Sequence, residues 1–190
     1  MKYEDIKTPE ELYNFMKDNF IYGFYNKKQN KSYIRKELNN DELYDKTLFH
    51  DYIVLSPKEL LDKKIGVCYD YVEFERDWFL KHGYKVHTYY TNIHNHAILI
   101  YEDNNKYYLF ERSIKQFNGI HENDNIDDLI EMYKNWQVEH DEIFKLKIET
   151  TEYDAPKEEV DFYGYILNAL KSEEKLQKVK DTVKRIHGYN

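Results

Sequence analysis

Residues 63–79 read KKIGVCYDYVEFERDWF, and Cys68 among them is the one cysteine of a 190-residue chain. Val67, Tyr71, Phe74 and Trp78 recur every three or four residues, an apolar stripe at helical spacing, while Asp70, Glu73 and Asp77 lie away from it. The spacing predicts a helix from Cys68 to about His82, closed by Gly83. Cys68 therefore sits where backbone N–H groups lack intrahelical partners and carry partial positive charge, which favours a thiolate. Such an N–H can also donate to a developing oxyanion. Asp70 is most simply a first-turn acid favoured by the helix dipole, and it works against a second anion beside it. A lone cysteine is ordinarily a small buried apolar residue, so Cys68 needs a base before it implies chemistry.

Upstream, SPKELLDKK (56–64) carries a helix start, with Ser56 as cap, Pro57 first and Glu59 closing a capping box. The helix should end near Lys64, with Gly66 allowing the turn. Thr8, Pro9 and Glu11 repeat the signal before Leu12, Phe15, Met16 and Phe20. Residues 21–52 show little periodicity. Downstream, KVHTYYT (85–91), HAILIY (96–101) and KYYLFERS (106–113) read as strands. NIDDLIEMYKNW returns to helix with Asp124 or Asn125 near its cap, and IFKLKIET (143–150) alternates like a strand. TEYDAPKEE reads as a loop. A helical end from about 157 to 190 has Ser172 as a cap. The expected architecture is α+β, one domain over 1–190, with a mostly antiparallel sheet and the cysteine helix packed on it.

HAILIYEDNNKYYLFE (96–111) is a hairpin pattern that offers the base. A turn centred between Asp103 and Asn104 puts His96 directly opposite Glu111, with Cβ atoms roughly 4.5–5.5 Å apart. A turn at Asn104–Asn105 makes Ile98 the residue opposite Glu111 but keeps His96 on the same face. A three-residue loop would separate them. With the pair formed, His96 takes the proton of Cys68 and Glu111 orients the ring, an arrangement suited to acyl transfer through a thioester.

The remaining readings are bounded by composition. The chain carries 17% aromatic residues, 20 of them tyrosines whose hydroxyls need partners when buried. A formal charge of −8 argues against nucleic acid, whose affinity rests on Lys and Arg. One cysteine excludes an internal disulfide and fits a reducing, cytoplasmic setting. No apolar run suggests a signal peptide or membrane span. His87, His94 and His96 could suit zinc, yet no further ligand set follows, so neither a metal nor a cofactor is assigned. His94 reads more simply as a loop residue near the site. His96 could instead be a core histidine bonded to a tyrosine, and Glu111 could pair with Arg112 or a lysine. Glu75, two turns from Cys68, is either a buried paired acid or exposed. Tyr22 and Gln29 carry groups suited to a second oxyanion donor, but the sequence does not place them.

GVCYDYVEF, HNHAILIY and YYLFERS together resemble the transglutaminase-like branch of the papain-like cysteine enzymes, over roughly residues 56–113. That family has Gly-x-Cys-x-Asp at a helix start, His-Ala opening a strand, and an acid ending the next. Here the acid is Glu111, where the family usually has aspartate, and Ile98 stands where it usually has tryptophan. The whole chain resembles a small bacterial subgroup. The resemblance implies a papain-like fold with Cys68, His96 and Glu111 as catalytic residues and a protein, peptide or small amide as substrate. Water as acceptor makes a peptidase or amidase, the first expectation; an amine makes a transglutaminase or acyltransferase. The competing class is an inactive module that binds another protein.

Overall fold

The structure is a computed structural model that describes residues 2–34, 41–92, 95–140 and 148–187. After a short 3-10 turn at Tyr3–Asp5, α1 (Pro9–Asn19) starts on a complete capping box. Thr8 accepts the Glu11 N–H at 3.2 Å, and the Glu11 carboxylate accepts the Thr8 N–H at 3.2 Å. The unreadable stretch that follows holds β1 (Ile21–Tyr22), β2 (Phe24–Asn26), β3 (Lys31–Tyr33) and α2 (Asp41–Asp51). Strands of two or three residues are too short to establish a period of two, which is why no pattern announces them.

Ser56 and Glu59 cap α3 (Pro57–Lys63) as the sequence predicts. The turn after it falls on Lys64 (φ +57°), not on Gly66. Gly66 instead lies in β4 (Ile65–Gly66), which pairs in parallel with β1 so that Tyr22 faces Gly66. A Cβ at Gly66 would stand 2.8 Å from both the Asp70 Cβ and Leu60 Cδ1, so glycine is required for close approach rather than for a bend. The cysteine helix, α4, spans Cys68–Lys81, and Gly83 follows it at φ +82°.

The remaining chain builds β5 (Lys85–Thr91), β6 (His96–Asp103), β7 (Lys106–Glu111), β8 (Gly119–Asn123), α5 (Ile126–His140) and β9 (Thr150–Glu152). Two helices end it, α6 (Phe162–Leu170) and α7 (Glu173–His187). Asn125 caps α5 by accepting the Asp127 N–H at 2.8 Å, and Ser172 caps α7 through the Lys175 N–H at 3.3 Å. The strand expected over 143–150 is shifted. Residues 143–147 lie outside the described residues, and β9 runs on through Thr151 and Glu152, the start of the expected loop. It pairs there with Tyr89 and Tyr90.

Strands β5 to β9 form one antiparallel sheet in the order β8-β7-β6-β5-β9. Ala97, Leu99, Tyr101 and Phe110 bury in one cluster with α4 and α6; Ile98, Ile100 and Leu109 bury in another with Leu129 and Tyr133 of α5. With helices on both faces, β6 is apolar at consecutive positions rather than alternate ones.

This enclosure also corrects the polar side of α4. Asp70 and Glu75 are buried, Asp70 against Tyr52 and Leu55 and Glu75 beside Glu111 and His96, while α6 covers Tyr69 and Glu73. Tyr69 stacks on Tyr165 of α6 at 4.3 Å, and the Tyr165 hydroxyl donates to Glu73 at 2.8 Å. No described helix is long and apolar enough to cross a membrane.

Candidate active site

Cys68 occupies the first position of α4 and is 7% exposed. Its approach is fixed by Asp70, whose carboxylate accepts from the Val67 N–H at 2.8 Å, the Leu55 N–H at 2.7 Å and the Tyr52 hydroxyl at 2.7 Å. One side chain thus joins the helix start, the segment before α3 and the end of α2. Burial outweighs these three donors and pushes the Asp70 carboxyl up to about 7.

His96 is the first residue of β6, and its position relative to Glu111 is set by the hairpin turn. Asn104 and Asn105 both have positive φ, 50° and 61°, and Asp103 pairs with Lys106. Two central residues of positive φ are the favoured two-residue hairpin turn, and asparagine tolerates that region. The turn therefore lies at Asn104–Asn105. By this register Ile98, not His96, stands opposite Glu111, which corrects the directly opposed arrangement. His96 lies two residues on, on the same face, and reaches Glu111 diagonally.

The contact is tight. His96 Nε2 and Glu111 Oε2 are 2.8 Å apart. The other carboxylate oxygen accepts the Ser113 N–H at 2.5 Å and the Ile114 N–H at 2.9 Å. Arg112 does not take Glu111 but turns to the Lys17 carbonyl at 3.3 Å. With Nε2 committed, Nδ1 is the ring nitrogen left to face Cys68. Burial alone would lower the imidazole; the charges of Glu111 and Cys68 outweigh it and hold His96 up at about 10.

Several surrounding groups carry no sequence signal. Tyr133 of α5 stacks beside the His96 ring at 6.2 Å. The Tyr69 hydroxyl donates to the Asn95 carbonyl at 2.5 Å and the Tyr90 hydroxyl to Asn95 Oδ1 at 2.6 Å. Asn95 has φ +49°, so two buried tyrosines hold the residue before His96 in its turn. Glu75 is buried against the pair, and its carboxyl is held well above the ordinary range, first by burial and then by the Glu111 charge.

The other residues singled out in the sequence lie elsewhere. Gln29 is committed to its own hairpin, where its side-chain oxygen accepts the Tyr33 hydroxyl. His87 is held between Glu102 and Glu152 at 2.8 and 2.7 Å, four positions along the sheet from the level of His96. His94 lies outside the described residues. Among the described residues no group of three His, Cys, Asp or Glu side chains could hold a metal ion. Tyr22 is the exception. The β1–β4 pairing brings it beside Gly66, two residues from Cys68, with its ring edge-on to Tyr71 at 6.0 Å.

A five-stranded antiparallel sheet with a cysteine helix on one face and the His96–Glu111 pair at its end defines an α+β protein of the transglutaminase-like fold. A family model described as a transglutaminase-like domain matches residues 1–144, well over half of the chain, and the chain belongs to that family. The match takes in Cys68, His96 and Glu111 and stops before β9, α6 and α7. No curated protein and no solved structure matches the chain.

Proposed function

We propose that this protein cleaves an amide or ester by cysteine-dependent acyl transfer, with water as the acceptor. In this reading His96 accepts the Cys68 proton and the thiolate attacks the carbonyl carbon. The C–S bond forms, the tetrahedral intermediate collapses, and His96 returns the proton to the leaving amine or alcohol. Water, deprotonated by His96, then hydrolyses the thioester. Of the reacting groups Glu111 touches only the imidazole, and it is a positioning residue: it fixes the tautomer and stabilises the imidazolium.

The observation that carries this reading is the 2.8 Å bond between His96 Nε2 and Glu111, which leaves the opposite ring nitrogen for Cys68. The raised affinity of His96 for its proton supports an imidazolium at neutral pH. The net charge of −8 favours a neutral or basic peptide or a small amide as substrate. No step calls for a cofactor.

The test is the pH dependence of Cys68 alkylation by iodoacetamide in the wild type and in His96→Ala. The expected result is fast alkylation persisting well below pH 8 and lost in the variant. A rate that climbs only through the ordinary thiol range near pKa 8.5, equally in both proteins, overturns the reading. Product analysis with and without added methylamine then separates hydrolysis from transfer to an amine.

A further inference from the structure

We propose that Tyr22 is a catalytic residue that donates its phenolic hydroxyl to the oxyanion formed when Cys68 attacks a carbonyl, completing a hole whose other donor is the Cys68 backbone N–H. This rests on the acyl-transfer reading above. Cys68 is the first residue of α4, so its N–H has no carbonyl one turn earlier to bond. One donor is rarely enough to hold a full oxyanion charge, and a second must come from another element.

The fold delivers Tyr22 to that place by backbone pairing. Strand β1 lies in parallel register with β4, Tyr22 beside Gly66 and Ile21 beside Ile65. Residues paired across neighbouring strands share a face. The face on which Gly66 lacks a side chain looks onto the first turn of α4: a Cβ there would meet Asp70 Cβ at 2.8 Å and Tyr71 Cε1 at 3.1 Å. Tyr22 reaches across this gap and sets its ring edge-on against Tyr71. A larger residue at 66 would fill the path.

The chemistry of the hydroxyl fits. It makes no hydrogen bond among the described residues, whereas Tyr52, Tyr69, Tyr90, Tyr153 and Tyr165 all commit theirs. Burial of the hydroxyl end raises its affinity for the proton, and Cys68 is the charge that raises it next most. The phenol thus stays a donor throughout the working pH range. The residue as a whole keeps 48% of its surface exposed. The exposed surface is where a substrate would arrive, while burial and the Cys68 charge act on the hydroxyl end. In the reaction the carbonyl π electrons move to oxygen as the C–S bond forms. Tyr22 donates a hydrogen bond to that oxygen without releasing its proton, and the same electrons return when the leaving group departs.

The experiment compares Tyr22→Phe with the wild type in two reactions of Cys68. Alkylation by iodoacetamide is a displacement at carbon with no oxyanion; acylation by 4-nitrophenyl acetate passes through one. The proposal expects alkylation unchanged within about twofold and acylation slowed by roughly 10²–10³-fold, the usual effect of removing one oxyanion donor. Equal acylation rates in the two proteins overturn it. So does an equal fall in both reactions, because Tyr22 would then act on the thiolate rather than on the oxyanion. A wild type that shows neither low-pH alkylation nor acylation fails the acyl-transfer reading itself, and the proposal with it. The variant keeps the ring that packs on Tyr71, and an unchanged urea midpoint verifies its fold.

Discussion

Two buried carboxylates flank Cys68, and each is built the same way. Asp70 takes two backbone N–H groups and the Tyr52 hydroxyl; Glu111 takes two backbone N–H groups and the His96 ring. The third donor separates them. A phenol stays neutral across the physiological range, so Asp70 works as a static anchor joining the segment before α3 to the start of α4. An imidazole takes and gives a proton there, so the same construction at Glu111 leaves a group that can change charge beside a thiol. Their electrostatics diverge accordingly. Burial wins at Asp70 and raises its carboxyl to about 7, whereas at His96 the neighbouring negative charge wins over burial and raises the ring to about 10. A buried acid near a cysteine is thus uninformative until its third partner is known.

The contrast can be broken most directly at Glu111. Glu111→Gln keeps an oxygen for the Ser113 and Ile114 N–H groups but removes the charge that orients and stabilises the ring. Cys68 alkylation at pH 6 is expected to fall by roughly 10²–10⁴-fold, read by mass spectrometry of the trapped protein. An unchanged rate would make Glu111 an anchor like Asp70. Asp70→Ala comes next: it strands three buried donors and is expected to cost about 3–5 kcal/mol of stability in urea unfolding. A loss below about 1 kcal/mol would show that Asp70 anchors nothing.

The pH dependence of stability sharpens the same distinction. The folded Asp70 carboxyl lies above its ordinary 3.8, so the folded state holds more protons between 3.8 and about 7, and stability falls as pH rises through that window. The His96 contribution is complete below the ordinary 6.5 and is lost as pH rises toward about 10. Each window carries a change on the order of 4 kcal/mol. Asp70→Asn is expected to flatten only the lower window and His96→Gln only the upper, measured as urea midpoints from pH 4 to 10. One shared profile in all three proteins would mean that these groups do not set it. The smallest effect belongs to Tyr52→Phe, about 1 kcal/mol with no change in Cys68 alkylation.

What could be read from the chain alone follows a physical boundary. The caps at Thr8, Ser56 and Ser172 were legible because each hydrogen bond closes within three residues. β5 was legible from end to end, since its β-branched and aromatic run declares itself. That His96 and Glu111 share a sheet face was legible for either two-residue turn. Which register the hairpin takes was not, because Asp103, Asn104 and Asn105 are all turn residues and only the backbone chooses among them. Gly66 looked like a turn residue because sequence shows a missing side chain but not what stands in its place. The continuous apolar run of β6 hinted at two covered faces, yet nothing in α4 announced that the segment around Tyr52 and Leu55 would bury Asp70.

The sequence by itself determined the helix starts, the long strands, the α+β class and the placing of one thiol at a helix N-terminus. These depend on side chains interacting with their own backbone or on the spacing of apolar residues along one element. The tertiary structure alone decided that Asp70 is an anchor, that Glu111 meets His96 diagonally, and that Tyr22 comes beside Gly66, two residues before Cys68. Each of these depends on contacts between segments distant in the chain, where loop closure and the packing of whole elements fix distances that no local pattern encodes.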